Sequence, residues 1–316
     1  MAHWNSELAE FLSLATFFVL SLQSLLVSSA HADTTPHIIG SHLFVNASTS
    51  ASISAHGASD YFSSSALTGL RRSAFFVALR QEAQIALMSQ RSAIPSFSTC
   101  AIDRSVDNEA DDASWANRII LHVIDVLRFC FGEDSDIDRS AAQWDNLVDY
   151  GSRWYTNKPS SFDPIFYRHG NYTLNSTSPS ADNASNTGTR LLPDIWLLSN
   201  AVSTGMQHYH LSRILLLACN PRAPRLGPAR ATFLKSQNEE IKNELKLLAG
   251  IAESNPSCPP NFVTACVGLT IAGERFEERW EQEELMEVLK KTDKKYGWPT
   301  VAAQKLLTAT WGWEKD

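Results

Sequence analysis

Apolar residues recur at helical spacing along most of the chain. In GLRRSAFFVALRQEAQIALMSQR, residues 69–91, five apolar side chains share one face, and Gln81 and Gln84 fall on the other. The five are Phe76, Leu79, Ala83, Ala86 and Leu87. The pattern predicts an amphipathic helix over 69–91.

The clearest helical pattern is DDASWANRIILHVIDVLRFCFG, residues 111–132. Its broad apolar face comprises Ile119, Ile120, Val123, Ile124, Val126, Leu127 and Cys130, and the opposite side carries Asn117, Arg118, Asp125 and Arg128. Asp111 or Asp112 is suited to cap the start, and Gly132 is placed to end the helix.

The segment TGMQHYHLSRILLLACNP, residues 204–221, is apolar on nearly every side and ends at Asn220-Pro221. This pattern predicts a buried helix. By contrast, GERFEERWEQEELMEVLKKTDKKYG, residues 273–297, is acidic early and basic late, which suits a solvated helix and complements its dipole. In this segment Phe276 and Trp280 do not fall on the same helical face as Leu285 and Leu289, so we expect a kink in the helix or packing against two partners.

No stretch shows sustained apolar and polar alternation between hairpin turns, so few strands are expected. Residues 46–68 and 168–188 are rich in Ser, Ala, Asn and Thr, and they are predicted to be long mobile loops. The sequence therefore predicts one all-α, multi-helix domain over 1–316 with long polar loops.

The N-terminal stretch 11–33 resembles a secretion signal, with Ala30-His31-Ala32 as a cleavage-like triplet. Residues 1–10 carry Glu7 and Glu10 but no Lys or Arg, and polar residues interrupt the apolar run. A buried helix is the preferred interpretation, and a signal or membrane anchor is the alternative.

Four glycosylation triplets begin at Asn46, Asn171, Asn175 and Asn183. They lie in or beside Ser- and Asn-rich stretches, where such triplets arise by composition alone. Together with residues 11–33, they motivate the alternative of a secreted or membrane-anchored helical glycoprotein.

The charge and the cysteine content of the chain add little to these predictions of fold and function. The chain carries 27 Lys and Arg against 34 Asp and Glu, a net charge of −7, which supplies no global basic face for nucleic acid. Its five cysteines form no C-x-x-C pair, and Cys130 and Cys219 fall in apolar helical runs where a thiol acts as a small hydrophobe. This usage favours a reducing compartment.

Two histidines, His208 and His210, stand two apart in the segment 204–221. On a helix, residues two apart point about 200° apart, so one metal ion cannot take both side chains. Both are therefore expected to be core histidines with separate hydrogen-bond partners.

Two further candidates are weaker. The stretch DSDIDRSAAQWD, residues 134–145, begins like a calcium loop, but Arg139 replaces the required Gly and Asp145 the bidentate Glu. An acidic loop between helices is preferred.

His122 and Asp125 lie three apart on the predicted polar face and could form an acid/base pair, but no nucleophile accompanies them. The sequence contains none of the common hydrolase, zinc-protease or nucleotide-binding motifs. No catalytic residue, metal ligand or cofactor is assigned, and the chain is not expected to be an enzyme.

Several ordered blocks resemble the fungal-specific transcription factor domain, in its ARCA-like group. This is the helical regulatory region that usually follows a Zn(II)2Cys6 DNA-binding cluster. The resemblance covers roughly residues 69–311, and its blocks are GLRRSAFFVALRQE, IDRSVDNEADDASWANRIILHVIDVLRFCFG, KPSSFDPIF, LPDIWLLSNAVSTGMQHYHLSRILLLACNPRAPRLGP, EIKNELKLLAGIAESN and EQEELMEVLKKTDKKYGWPT.

The resemblance implies a nuclear transcription regulator, or a regulatory part of one, that binds partners or senses a metabolite. The chain lacks the C-x2-C-x6-C array of the zinc cluster. A protein partner is therefore expected, a DNA-binding member of the family being one candidate, and a small-molecule effector is allowed. No membrane association is expected. The resemblance transfers no individual binding residue, and the similarity of residues 4–28 to the region before these blocks favours a helix there over a signal peptide.

We predict that the isolated chain binds duplex DNA weakly and without sequence preference. Its net charge of −7 provides no long-range attraction to phosphate, and it lacks the zinc cluster that would place a helix in the major groove. Binding titrations at physiological salt, against random and genomic fragments, measure this. Nanomolar binding that discriminates among sequences would overturn the prediction.

Overall fold

The computed structural model describes residues 69–93, 103–132, 139–170, 172–173 and 189–313. Within these ranges the fold is all-α, as predicted, with eight α-helices. The helices are α1 Gly69–Met88, α2 Asp112–Phe131, α3 Ala141–Asn157, α4 Asn200–Ala218, α5 Pro228–Ser254, α6 Pro259–Ala272, α7 Arg279–Tyr296 and α8 Val301–Thr310.

Four short strands form two antiparallel pairs in the described residues. They are β1 Phe166–Arg168, β2 Tyr172–Thr173, β3 Thr189–Arg190 and β4 Asp194–Trp196, with β1 paired to β4 and β2 to β3. The predicted loop 168–188 is therefore too long at its start, because Arg168 and residues 172–173 belong to strands. The loop 46–68, the N-terminal segment and all four glycosylation triplets lie outside the described residues.

Helix α4 lies at the centre of the packing, which explains its apolar residues on every side. It contributes to three clusters of buried side chains: Leu211, Leu215 and Leu216 to one, Ile214 to a second, and Val202, Met206 and Tyr209 to a third. The prediction of a buried helix here is confirmed.

Helix α2 packs directly against α4 through small residues. A carbon added at Gly205 of α4 would lie 2.9 Å from Cε1 of Phe162 and 3.1 Å from Cβ of Ala116 on α2. The caps of α2 are those predicted. The Asp111 side chain accepts a hydrogen bond from the Ser114 backbone N–H at 2.7 Å, and Gly132 ends the helix with its backbone N–H donated to Arg128 O at 2.9 Å.

The predicted polar face of α2 is only partly correct. Arg118 and His122 are each only 2% exposed, because residues 103–110 and helix α3 cover that side. Arg118 donates to Asp103 at 2.7 Å and to Asn108 O at 2.9 Å, and its guanidinium lies over the Trp115 ring. These partners compensate the buried charge.

The C-terminal helices pack on one another and on α5. The predicted kink is a full break at residues 276–278, between a short 3-10 turn, Gly273–Arg275, and α7. Phe276 leaves the helix yet is buried in the same cluster as Leu285 and Leu289, while Trp280 is 39% exposed. Gly297 ends α7 with φ 70°, a left-handed conformation that favours glycine.

We predict that Gly205→Val lowers the free energy of unfolding by about 1–3 kcal/mol, because the added carbons must push α2 and α4 apart. Urea unfolding followed by circular dichroism measures this loss. The exposed substitution Ala302→Val in α8 controls for the cost of a β-branched residue in a helix. An equal loss in both variants would contradict the close packing at Gly205.

Candidate functional site

A cavity of about 530 Å³ lies between α1, α2, α4 and the start of α6. We call it the Arg80 cavity. It is lined by Phe76, Val77, Arg80, Asp111, Ala113, Ser114, Ala116, Asn117, Ile120, Asn200, Ala201, Thr204, Cys258, Pro259 and Pro260. Its volume falls within the range of small-molecule sites, on the order of 300–1,000 Å³.

Arg80 is the one cation among the described lining residues. It projects from α1 and is partly buried, and no hydrogen bond or ion pair joins it to another residue in the described ranges. Burial lowers the pKa of Arg80, and the nearby Cys258 thiol offsets part of that effect. The cavity therefore holds a partly desolvated positive charge that forms no ion pair with any residue that the structure describes.

Three helices begin at the wall of the cavity, which adds positive potential. The start of α2 is capped by Asp111, and the start of α4 is capped by Ser199, whose hydroxyl accepts from the Val202 backbone N–H at 3.3 Å. The start of α6 follows Cys258, which makes no side-chain cap. The positive ends of α4 and α6 thus border the same cavity as Arg80, although Pro259 and Pro260 leave the first two positions of α6 without an N–H, while Asp111 offsets the positive end of α2.

The remaining wall is apolar, with a few neutral polar groups. Phe76, Val77, Ile120 and the pair Pro259-Pro260 supply the apolar surface, and Val77 is 39% exposed. Neutral polar side chains are provided by Asn117, Asn200 and Thr204. A cavity of this kind binds a molecule with an apolar body and a polar end.

His208 lies one helical turn after Thr204 and is almost fully buried. Its Nδ1 donates to the Thr204 carbonyl at 2.8 Å, since a carbonyl oxygen only accepts, and its Nε2 has no hydrogen-bond partner. Burial, with a further contribution from the Arg80 charge, lowers the pKa of His208 to about 4. His208 is therefore neutral at physiological pH.

His210 points to a different partner, as predicted. Its Nδ1 lies 2.6 Å from Oε2 of Glu244 on α5, and Arg213 binds the other oxygen of the same carboxylate. Burial alone would raise the pKa of Glu244, but His210 and Arg213 more than offset it, and the pKa is lowered. This cluster joins α4 to α5 by an ion pair.

The candidate acid/base pair His122 and Asp125 does not form. His122 stacks on Tyr150 of α3 with ring centroids 4.9 Å apart, and Asp125 instead pairs with Arg104. Burial, with a smaller contribution from the Arg104 charge, lowers the pKa of His122 to about 3. The structure turns His122 inward because α3 covers this side of α2.

The acidic stretch 134–145 is not a single loop. Residues 133–138 lie outside the described residues, while Asp145 belongs to α3 and forms an exposed ion pair with Arg222. No group of three or more His, Cys, Asp or Glu side chains suited to a metal ion occurs in the described part of the chain. Over the same residues, none of the helices is both long and apolar enough to cross a membrane.

Reasoning from sequence missed the Arg80 cavity. Arg80 stands in an amphipathic helix pattern like any solvated cation, and its neighbours Thr204 and Cys258 lie more than 120 positions further along the chain. The one sequence feature that points to Arg80 is that no Asp or Glu lies three or four positions from it, and this feature is only a weak indication of an unpaired cation. Here Glu82, the nearest acid, pairs with Arg91 instead.

We predict that the stability of the fold falls as pH drops from 6.5 towards 5, because unfolding lets His122 and His208 take up protons that the folded state excludes. Each depressed histidine pKa contributes stability above the unfolded pKa of about 6.5, and this is progressively lost below it. The expected slope is on the order of 1 kcal/mol per pH unit for each histidine.

The slope of unfolding free energy against pH, from urea melts, checks this. His208→Asn is expected to reduce the slope of unfolding free energy against pH by about one proton. Comparing slopes keeps the test valid when a variant is less stable overall. An unchanged slope in His208→Asn would contradict the assignment.

The chain matches no family model, no curated protein and no solved structure. The assignment of function therefore depends on the residues of the chain and on the geometry that they form.

Proposed function

We propose that this chain is a nuclear transcription regulator, or a regulatory part of one, of the fungal Zn(II)2Cys6 type without its zinc cluster. It acts by binding an effector and a protein partner, and it is not an enzyme. The observation that carries the proposal is the convergence of the resembling sequence blocks on one cavity. GLRRSAFFVALRQE supplies Phe76 and Arg80, the block 102–132 supplies Asp111 to Ile120, and the block 192–228 supplies Asn200 and Thr204.

The position of the cavity supports regulation by an effector. Its walls come from four helices, including α4, which contacts all three buried clusters. A ligand that bridges α1, α2, α4 and α6 would stabilise one arrangement of these helices over another. Differential binding of this kind is what couples an effector to a partner surface.

The charge of the chain supports a partner that reads DNA. Because these 316 residues carry a net charge of −7 and contain no C-x2-C-x6-C array, we assign sequence recognition to residues outside them, on a second chain or on a longer form of this one. Under this proposal, a surface on the helical body binds the partner that reads DNA.

A tethering assay tests the proposal. The full chain is fused to an unrelated DNA-binding domain that has no activation region, and expression from a reporter carrying its sites is measured. We expect a change of at least threefold in reporter expression, either up or down. The destabilised variant Gly205→Val, fused in the same way, is the matched control and is expected to lose the effect.

Localisation of the full chain with a C-terminal fluorescent protein separates the two classes of function. Nuclear fluorescence is expected. Glycosidase-sensitive protein in the medium or at a membrane would contradict the proposal and favour the glycoprotein alternative, which residues 11–33 and the four triplets motivate. An inert tethered chain that is cytoplasmic would also overturn it.

A further inference from the structure

Among the described residues, the Arg80 cavity holds one positive charge without an ion-pair partner, in an open pocket with a mostly apolar wall. We propose that it binds an organic monocarboxylate, an acid with an aromatic or aliphatic body and a single carboxylate that pairs with Arg80. The role of such a ligand as an effector rests on the proposed function, but its binding to the cavity does not.

The need for an anion follows from a comparison of Arg80 with other partly or fully buried arginines. Arg118 is compensated by Asp103, and Arg213 by Glu244. Among the described residues, Arg80 forms no hydrogen bond to a carboxylate or carbonyl and does not lie over an aromatic ring. A guanidinium presents two parallel N–H donors that match a carboxylate, so a ligand anion would supply the missing partner.

The charge of the ligand follows from the cavity wall. Asp111 already occupies the start of α2 and places a negative charge at the exposed rim. Arg80 and the starts of α4 and α6 remain to face the ligand. Counted over the described residues, one full positive charge and two partial ones fit a single carboxylate, while a phosphate dianion would add a second negative charge to the cavity that Asp111 also lines.

The body of the ligand follows from size and lining. A cavity of about 530 Å³ is several times larger than an inorganic anion. Such an anion would leave the apolar wall exposed to water, at Phe76, Val77, Ile120, Pro259 and Pro260. A ring or chain against these side chains removes that apolar surface from water. Asn117, Asn200 and Thr204 are placed to orient a further polar group.

The absence of a partner also means that Arg80 does not hold the fold together. Removing a partly buried charge that has no counter-ion leaves no group unpaired, so the variant Arg80→Gln is expected to unfold at the same denaturant concentration as the wild type or a higher one. This distinguishes Arg80 from Arg118, because the loss of Arg118 would remove the ion-pair partner of Asp103 and the side chain that fills this buried position.

Isothermal titration of the full chain tests the proposal. The probes are 2-naphthoate, decanoate, the neutral isostere 2-naphthamide and inorganic phosphate. We expect at least one of the two carboxylates to bind, 2-naphthamide to bind at least tenfold more weakly than 2-naphthoate, and phosphate to bind more weakly than either carboxylate.

Arg80→Gln is expected to weaken the bound carboxylate at least tenfold, and Arg80→Lys to give an intermediate loss, since it keeps the charge but not the paired donors. Arg225→Gln, at an exposed position away from the cavity, changes the net charge by the same amount and is expected to bind like the wild type. Thermal unfolding of each variant confirms that it is folded before titration.

Four results would overturn the proposal. They are no binding of either carboxylate, equal binding of naphthoate and naphthamide, tighter binding of phosphate than of carboxylate, or full binding by folded Arg80→Gln. These outcomes are separate from the reporter assay. Carboxylate binding that depends on Arg80, in a chain that is inert when tethered, would uphold the site and reject the proposed function.

Discussion

The burial of helix α4 on every side is the constraint on which the rest of the structure depends. The buried polar side chains of such a helix find most of their hydrogen-bond partners within the protein, although His208 Nε2 has none. Gln207 donates to Leu248 O at 2.9 Å and to Asn261 O at 3.0 Å, and His210 meets Glu244. These contacts tie α4 to α5 and α6 by specific bonds, where apolar packing alone would allow the helices to slide.

The same helix connects the core to the candidate site. Its middle and C-terminal turns fill the buried clusters, while its first turn, with Asn200 and Thr204, faces the Arg80 cavity. Close contact at Gly205, directly after that turn, holds α4 against α2. A ligand in the cavity would therefore touch the helix that all three buried clusters share, which gives a physical route from binding to a change at a distant surface.

Arg80 departs from the pairing that two other buried charged side chains show. Arg118 is buried with a carboxylate and an aromatic ring beside it, and Glu244 is buried with two cationic or donor partners. Arg80 is partly buried with neither. Sites that break local rules of this kind are where function is expected, because stability gains nothing from them. The cavity was thus identified by an absent interaction, which the sequence pattern alone does not reveal.

The sequence by itself determined the all-α class, the helix after Asp111 with its caps, and the burial of the segment 204–221, because helical periodicity and capping depend on residues within one or two turns. Only the tertiary structure decided that His122 faces inward, that Phe276 lies between two helices, and that Arg80 meets Thr204 and the start of α6. Each of these depends on which distant segment covers a given face, and periodicity contains no information about that choice.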